Sequence, residues 1–353
     1  MKHTPQKIAA WSRIHRRRSL LIGGLVIIAL VSSIWAWQWY TSRPSTPDTT
    51  PIAVAKKPKP IFHSPLTGSA VDEAATKRPV TAIMIENSPE ARPHSGLKQA
   101  GIVYEAIAEG GITRYAALYQ ESRPSLIGPV RSLRPYFLDW ITPYNASIAH
   151  VGGSAKALEE VRNGSHRDID QFFNDDSYWR ADDRYAPHNV YTSFDKLDAL
   201  NAAKHYSSST FTGFERTDET ASGASASHIT INFSSTIFNT SYDYDTSSHT
   251  YKRSLGGEPH MDREEGQIAP RVVIALDVSM SLVMEDGWRE SIQTNGSGRA
   301  VIFQDGTVTE AVWKKDSMSG NLQLLSSSDE PIKLARGQTW IAAVPAQGGT
   351  VAW

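Results

Sequence analysis

A chain of 353 residues has room for a membrane anchor and two folded domains. Its 36 Lys and Arg balance 37 Asp and Glu to a formal charge of −1, which argues against a dedicated nucleic-acid binder, and no basic, aromatic-interleaved patch lies beyond the N-terminus. The absence of cysteine rules out disulfides and fits a bacterial cell surface better than an animal secretory pathway.

The N-terminus reads as membrane topology. Arg13, Arg16, Arg17 and Arg18 precede an uncharged apolar run over 20–40, about long enough to cross ~30 Å of hydrocarbon. Trp35, Trp37, Trp39 and Tyr40 crowd its far end, where amphipathic rings favour the headgroup level. The arginines predict a cytoplasmic segment 1–19, a single transmembrane helix, and an extracytoplasmic remainder. A cleaved signal peptide is the rival reading. The run is long for one, and its outer end carries Trp where cleavage favours small residues. Residues 41–61 hold Pro44, Pro47, Pro51, Pro58 and Pro60 among Thr, Ser and Lys, as expected of a stiff, extended spacer.

Over 62–206 strand and helix signals alternate. Apolar runs at 80–85, 102–108, 113–120 and 146–151 predict strands. Ser132 is placed to cap a helix through Trp140 that ends before Pro143, and Gly152-Gly153-Ser154 turns into a helix over 155–162. Ser193 is placed to cap a helix over 194–203. The alternation predicts an α/β layer domain. Residues 207–228, rich in Ser, Thr, Gly and Ala, read as a linker. Beyond it, short strands are expected at 228–233, 240–244, 250–254, 271–278, 298–304, 307–314, 322–326 and 339–344, a mainly-β domain over 229–350. The whole is an α+β protein behind an N-terminal transmembrane helix.

Between residues 83 and 150, charged side chains sit beside glycine turns, as in Gly110-Gly111-Ile112-Thr113-Arg114 and Gly128-Pro129-Val130-Arg131-Ser132. This pattern predicts a polar site on the loops of the α/β domain. Arg92, Arg114, Arg131, Arg134, Arg180 and Arg184 suit phosphate or carboxylate, because the guanidinium fork matches both. Gly152, Gly153 and Ser154, opening a helix, add backbone N–H groups that attract anions. The alternative is a structural network in which these arginines pair with Glu86, Glu105, Glu109, Asp139 and Asp182. Glu105 and Glu109, four apart, share a face on a helix or a regular strand and are candidates for acid and base. His188 and Asn189 follow Ala186-Pro187 on a short rigid loop, His188 as a candidate base and Asn189 as a ligand contact. His150 is a further candidate ligand contact. No tight metal-binding spacing occurs, so no metal and no cofactor are expected. Ser132 and Ser154 lie outside any G-x-S-x-G elbow and read as helix caps. His260, Asp262 and Arg263 read as a solvated loop, and Trp288, Trp313 and Trp340 as packing residues.

The stretches RPVTAIMIENSPEARPHSGLKQAGIVYEAIAEGGITRYAALYQ, IGPVRSLRPYFLDW, HVGGS and APHNVYTS occur in order. Together with Tyr251-Lys252-Arg253, His260-Met261-Asp262 and Arg336-Gly337-Gln338-Thr339-Trp340-Ile341, they resemble the YerB-like family of bacterial cell-envelope proteins. The resemblance covers about residues 62–350 and implies an envelope location and this two-part architecture. It supplies no reaction. Members are typically lipoproteins or membrane-anchored, whereas this chain has an apparent transmembrane helix and no lipobox cysteine.

Three functions follow as expectations. The first is an envelope binding or accessory protein that holds an anionic glycan, a lipid-linked precursor or a cell-wall synthesis partner. The second is an enzyme acting on a phosphate-linked or lipid-linked envelope glycan, similar only in plan to the LytR-CpsA-Psr ligases. The third is a structural interaction protein that docks through its β domain.

Overall fold

The computed structural model describes residues 6–43, 60–282 and 289–353. Most of the proline-rich spacer and Trp288 lie outside the described residues. Two compact units are present, residues 1–59 and 60–353.

Among the described residues, the first unit holds one helix, Gln6–Thr41. Its segment Gly23–Thr41, 19 residues, is apolar enough to cross a membrane by length and composition. At 1.5 Å per residue it spans about 28 Å, with no acidic or basic side chain inside it. Arg43 lies over the Trp39 ring, 4.2 Å from its centroid, so the C-terminal end of the helix couples a charge to an aromatic face.

The second unit is a mixed α+β fold in which strands predominate, built on an 11-stranded sheet. From one edge its strands run Ala224–Ser225, Thr307–Lys315, Gly296–Gln304, Val272–Val278, Thr339–Pro345, Ile102–Glu109, Ile112–Tyr119, Thr81–Glu86, Ser147–Ala149 and Arg167–Asp168; Gln323–Leu325 adds to Thr307–Lys315 off this path. Strands from either side of residues 207–228 therefore share one sheet. They join where Thr339–Pro345 runs parallel to Ile102–Glu109, with Thr339 opposite Ile102 and Ala342 opposite Glu105. The inner strands are buried on both faces, which explains continuous apolar runs such as Val272–Val278.

Helices Pro135–Ile141 and Ala155–Val161 cover one face, packing Tyr136, Phe137, Trp140, Ala157 and Val161 against Met84, Ala106 and Ala116. The other face is covered by helix Phe194–Ala203 and by a five-stranded antiparallel sheet in the order Glu258–Pro259, Thr250–Leu255, Thr240–Asp245, His228–Asn232, Thr350–Ala352. The inward residues of that sheet, Ile229, Ile231, Tyr242 and Tyr251, alternate with exposed ones.

Several elements depart from the sequence reading. The first covering helix starts at Pro135, with Arg134 at the N-cap position. Ser132 cannot cap it, because residues 131–133 are extended: Arg131 donates its N–H to Met84 O and Leu133 to Gly152 O. The segment 207–228 is tied down, with Arg216–Thr217 pairing with Leu334–Ala335 and Ala224–Ser225 joining the main sheet. Short pairs such as Met261–Asp262 with Gly266–Gln267 were also not foreseen.

Candidate functional site

The sequence places the two glutamates of Ile102–Glu109 on one face, and the structure separates them. The register slips at a bulge between Ile107 and Glu109. An extra residue there reverses the side-chain alternation. Glu105 faces the sheet-covered side, and Glu109 faces the helix-covered side. Glu105 therefore cannot partner Glu109 as an acid–base pair.

Glu105 is fully buried and paired with Arg253 at 2.7 Å, both side chains being inaccessible. It also accepts Trp340 Nε1–H at 2.8 Å and Thr113 Oγ1–H at 3.1 Å. Burial works against the Arg253 charge, but the Glu105 carboxylate overrides it and holds the arginine pKa up. From Arg253 a directional chain runs back to the first half of the protein. An arginine can only donate, so His260 Nδ1 accepts from Arg253. His260 Nε2 then meets His94 Nδ1 at 2.9 Å, and His94 Nε2 meets the Glu86 carbonyl at 2.7 Å. A carbonyl can only accept, so each histidine carries its proton on Nε2 and is neutral. Burial pushes His94 down to about 3 and His260 well below its ordinary value. His260 and Asp262 are buried rather than on a solvated loop; Asp262 accepts from the backbone N–H of Lys98, Glu264 and Glu265. Trp340 and Trp313 are core residues, and the Trp313 indole N–H donates to Asp277 O at 2.8 Å.

On the helix-covered side the strand ends bring three predicted arginines together. Glu109 bridges Arg114, at 2.9 Å, and Arg134. Arg114 also donates to Ser132 O at 2.9 Å. Burial pushes the Arg114 guanidinium down to about 10. Arg114 lies opposite Glu86 on the neighbouring strand. Glu86 reaches Arg131 at 3.2 Å with one oxygen and His188 Nδ1 at 3.0 Å with the other, while Ser88 Oγ lies 3.1 Å from the same nitrogen. Glu86 thus joins the arginine cluster to the His188 loop, a role the sequence did not single out.

Other predicted contacts have structural partners. His150 is fully buried between Gly152 O, at 2.8 Å from Nδ1, and Asp168, at 3.1 Å from Nε2. Asn189 bonds Ala181 O and Arg184 O and accepts from Arg180, which fixes the loop before His188. The Gly152-Gly153-Ser154 turn does not present a free anion cradle: Gly152 N–H donates to Asp170 Oδ1 at 3.0 Å, and Ser154 N–H to Leu133 O. The anion held by this turn is the protein's own carboxylate. Ser154 occupies the N-cap position of Ala155–Val161 without a side-chain cap bond.

Beside this turn opens a cleft of about 810 Å³. Arg131, Gly152 and Gly153 line it, as do Arg162, Arg180 and the side chains of Phe172 and Phe173. None of the residues lining it is acidic. Arg131 is paired with Glu86 and Arg162 with Asp170, whereas Arg180 has no carboxylate partner among the described residues and donates to the neutral Asn189. Arg134 and Ser154 instead line a second cleft of about 600 Å³ beside Tyr136 and Glu290. Among the described residues, no group of three His, Asp or Glu side chains is placed to hold a metal. The sequence signal for Phe172 and Phe173 was an apolar pair in an otherwise polar stretch, Asp168-Ile169-Asp170-Gln171 before it and Asn174-Asp175-Asp176 after it.

Comparison with known proteins places this architecture. Residues 66–207 match the N-terminal domain, and residues 229–341 the C-terminal domain, of a family described as protein of unknown function (DUF3048). The Bacillus subtilis (strain 168) protein named "Putative lipoprotein YerB" is 32% identical over 312 residues, 86% of this chain and 89% of the relative. The crystal structure of the Bacillus subtilis YerB protein superposes with a TM-score of 0.75 at 30% identity, covering 83% of this chain and all of that one. With both halves matched, in order and in one fold, the chain belongs to the DUF3048 family of YerB-like proteins.

Proposed function

We propose that this protein is a membrane-anchored, extracytoplasmic envelope protein whose arginine-lined cleft binds an anionic ligand, such as an anionic glycan or a lipid-linked precursor, or an anionic surface of a wall-synthesis partner. The carrying observation is the lining of the cleft: Arg131, Arg162 and Arg180 with no carboxylate among the lining residues. Glu86 and Asp170 balance Arg131 and Arg162 from behind the cleft wall, whereas Arg180 has no carboxylate partner among the described residues, so a carboxylate or phosphate entering the cleft meets three guanidinium donors and one unbalanced charge. Anchoring is supported by the helix Gly23–Thr41 and by the arginines before it, which favour a cytoplasmic N-terminus. The relative carries the name "Putative lipoprotein YerB"; this chain has no cysteine to carry a lipid, so the helix takes the anchoring role.

Binding is the function the geometry supports best. In a nucleophile–base–acid relay the nucleophile and the acid occupy opposite nitrogens of the histidine. Here Ser88 and Glu86 both meet His188 Nδ1, so the three do not form that relay.

The test is thermal unfolding of the full-length protein in nanodiscs with inorganic polyphosphate and oligogalacturonate. A ligand confined to the folded state at a hundredfold excess over its Kd adds about 2.7 kcal/mol. The proposal expects a rise in melting temperature with at least one of these polyanions. No rise with either, from a cooperatively unfolding sample, contradicts it.

A further inference from the structure

Phe172 and Phe173 are 66% and 69% exposed, although each is an apolar ring in an otherwise polar loop. Adjacent exposed apolar rings form a patch of the kind that marks a contact site. Both line the arginine cleft rather than projecting from a convex tip. The Phe172 ring lies against Gly152, where a Cβ would come within 3.1 Å of it. The Arg162 guanidinium sits over the Phe173 ring, 4.9 Å from its centroid.

One buried carboxylate sets this arrangement. Asp170 is inaccessible. Its Oδ1 accepts the Gly152 N–H at 3.0 Å and the Phe172 N–H at 3.3 Å. Its Oδ2 accepts from Arg162 at 2.7 Å, and its carbonyl accepts the Phe173 N–H at 3.1 Å and the Asn174 side-chain amide at 2.7 Å. One residue thus fixes this corner of the cleft: its carboxylate holds the glycine turn, Phe172 and Arg162, and its carbonyl holds Phe173. Such a hub makes the cleft preorganised, so little ordering remains to be done on binding.

We infer that the cleft is a saccharide site: Phe172 and Phe173 form the platform for the apolar face of a sugar ring, and Arg131, Arg162 and Arg180 take the anionic groups of an acidic sugar chain, with Asp170 as the positioning residue. This deepens the anion-binding reading and rests on it. An aromatic ring offers its face to the C–H face of a pyranose, while the guanidinium fork pairs with a ring carboxylate or phosphate. A bare polyanion uses the arginines alone; an acidic sugar uses both.

The experiment compares two probes, oligogalacturonate and inorganic polyphosphate, by calorimetric titration into the full-length protein in nanodiscs, for the wild type and for Phe172→Ala/Phe173→Ala. Both rings are on the surface, and a melting curve confirms that the variant folds. The expected result is that the double variant loses about tenfold in affinity for oligogalacturonate and changes polyphosphate affinity by less than about twofold. Equal retention of both affinities in the variant overturns the platform and leaves anion binding standing. Absence of binding by either probe overturns both readings. Binding of anionic phospholipid vesicles that depends on Phe172 and Phe173, with no oligogalacturonate binding, overturns the saccharide assignment in favour of a membrane contact. Asp170→Asn supplies the positioning test: it loosens the Gly152 and Phe172 contacts while releasing Arg162 from its counter-charge, so oligogalacturonate binding is expected to weaken while polyphosphate binding is kept or strengthened, and unchanged oligogalacturonate binding or an equal loss for both probes counts against the hub.

Discussion

Replacing Glu105 with Gln removes one charge from a fully buried ion pair while keeping its shape. Arg253 then stays inaccessible without a counter-charge. The new amide nitrogen faces either Trp340 Nε1–H and Arg253, donor against donor, or Thr113. Leaving one member of a buried pair uncompensated costs about 3–5 kcal/mol. At about 2–4 °C per kcal/mol for domains approaching this size, the melting temperature should fall by at least about 6 °C. The assay is calorimetry of the full-length protein with urea unfolding beside it. Replacing both partners with apolar residues, Glu105→Leu with Arg253→Met, should recover much of the loss, because desolvation largely offsets the attraction within a buried pair. A loss below about 1 kcal/mol in the single variant refutes the reasoning: Arg253 would then be reached by water, and the network would not hold the two halves of the sheet together.

Further outcomes follow from the same geometry. His94 and His260 are neutral in the fold because each Nδ1 must accept a hydrogen bond, and both pKa values are lowered, His94 to about 3. The unfolded chain takes up protons below about 6.5 while the folded chain does not, so stability falls as pH falls from about 6.5 towards 3. Each histidine contributes a slope of about 1.4 kcal/mol per pH unit. Urea unfolding between pH 7 and 4.5 should show His94→Gln losing stability less steeply than the wild type by about that slope; parallel curves contradict the assignment. Gly152 has φ of +59°, and a Cβ there would press on Phe172, so Gly152→Ala should cost about 1–2 kcal/mol and displace the ring, read by urea unfolding and by fluorine labelling of the phenylalanines. Arg180→Ala should leave stability within about 0.5 kcal/mol, because Arg180 is exposed and has no carboxylate partner among the described residues; a larger loss would make it a structural residue.

The elements with strong periodicity were legible in the sequence. Helix Phe194–Ala203 forms with Ser193 as its cap, its Oγ accepting the Lys196 N–H, because cap, apolar spacing and helix formers agree there. Strands Val272–Val278 and Thr339–Pro345 follow from their apolar runs. The mixing of the halves was not legible: two-residue strands such as Ala224–Ser225 and Leu334–Ala335 are too short to carry a period. The Glu105–Glu109 reading failed on a bulge, which has no reliable local signature when no glycine marks it. Of the cleft arginines, Arg131 was visible beside a glycine turn and Arg180 was among the predicted arginines, whereas Arg162 read only as the end of a helix; which carboxylate each would meet depends on strand register. Arg253 was invisible as a hub because Glu105 stands 148 residues away, and Asp170 because its bond to Gly152, 18 residues back, depends on how the two loops pack.

The most direct test of the central claim is isothermal titration of inorganic polyphosphate into the full-length protein in nanodiscs at low salt, for the wild type and for Arg131→Ala/Arg162→Ala/Arg180→Ala. The account predicts measurable binding by the wild type that weakens with added salt and disappears in the triple variant while that variant still unfolds cooperatively. Equal binding by the folded triple variant, or none by the wild type, contradicts the assignment of this cleft as the anion site.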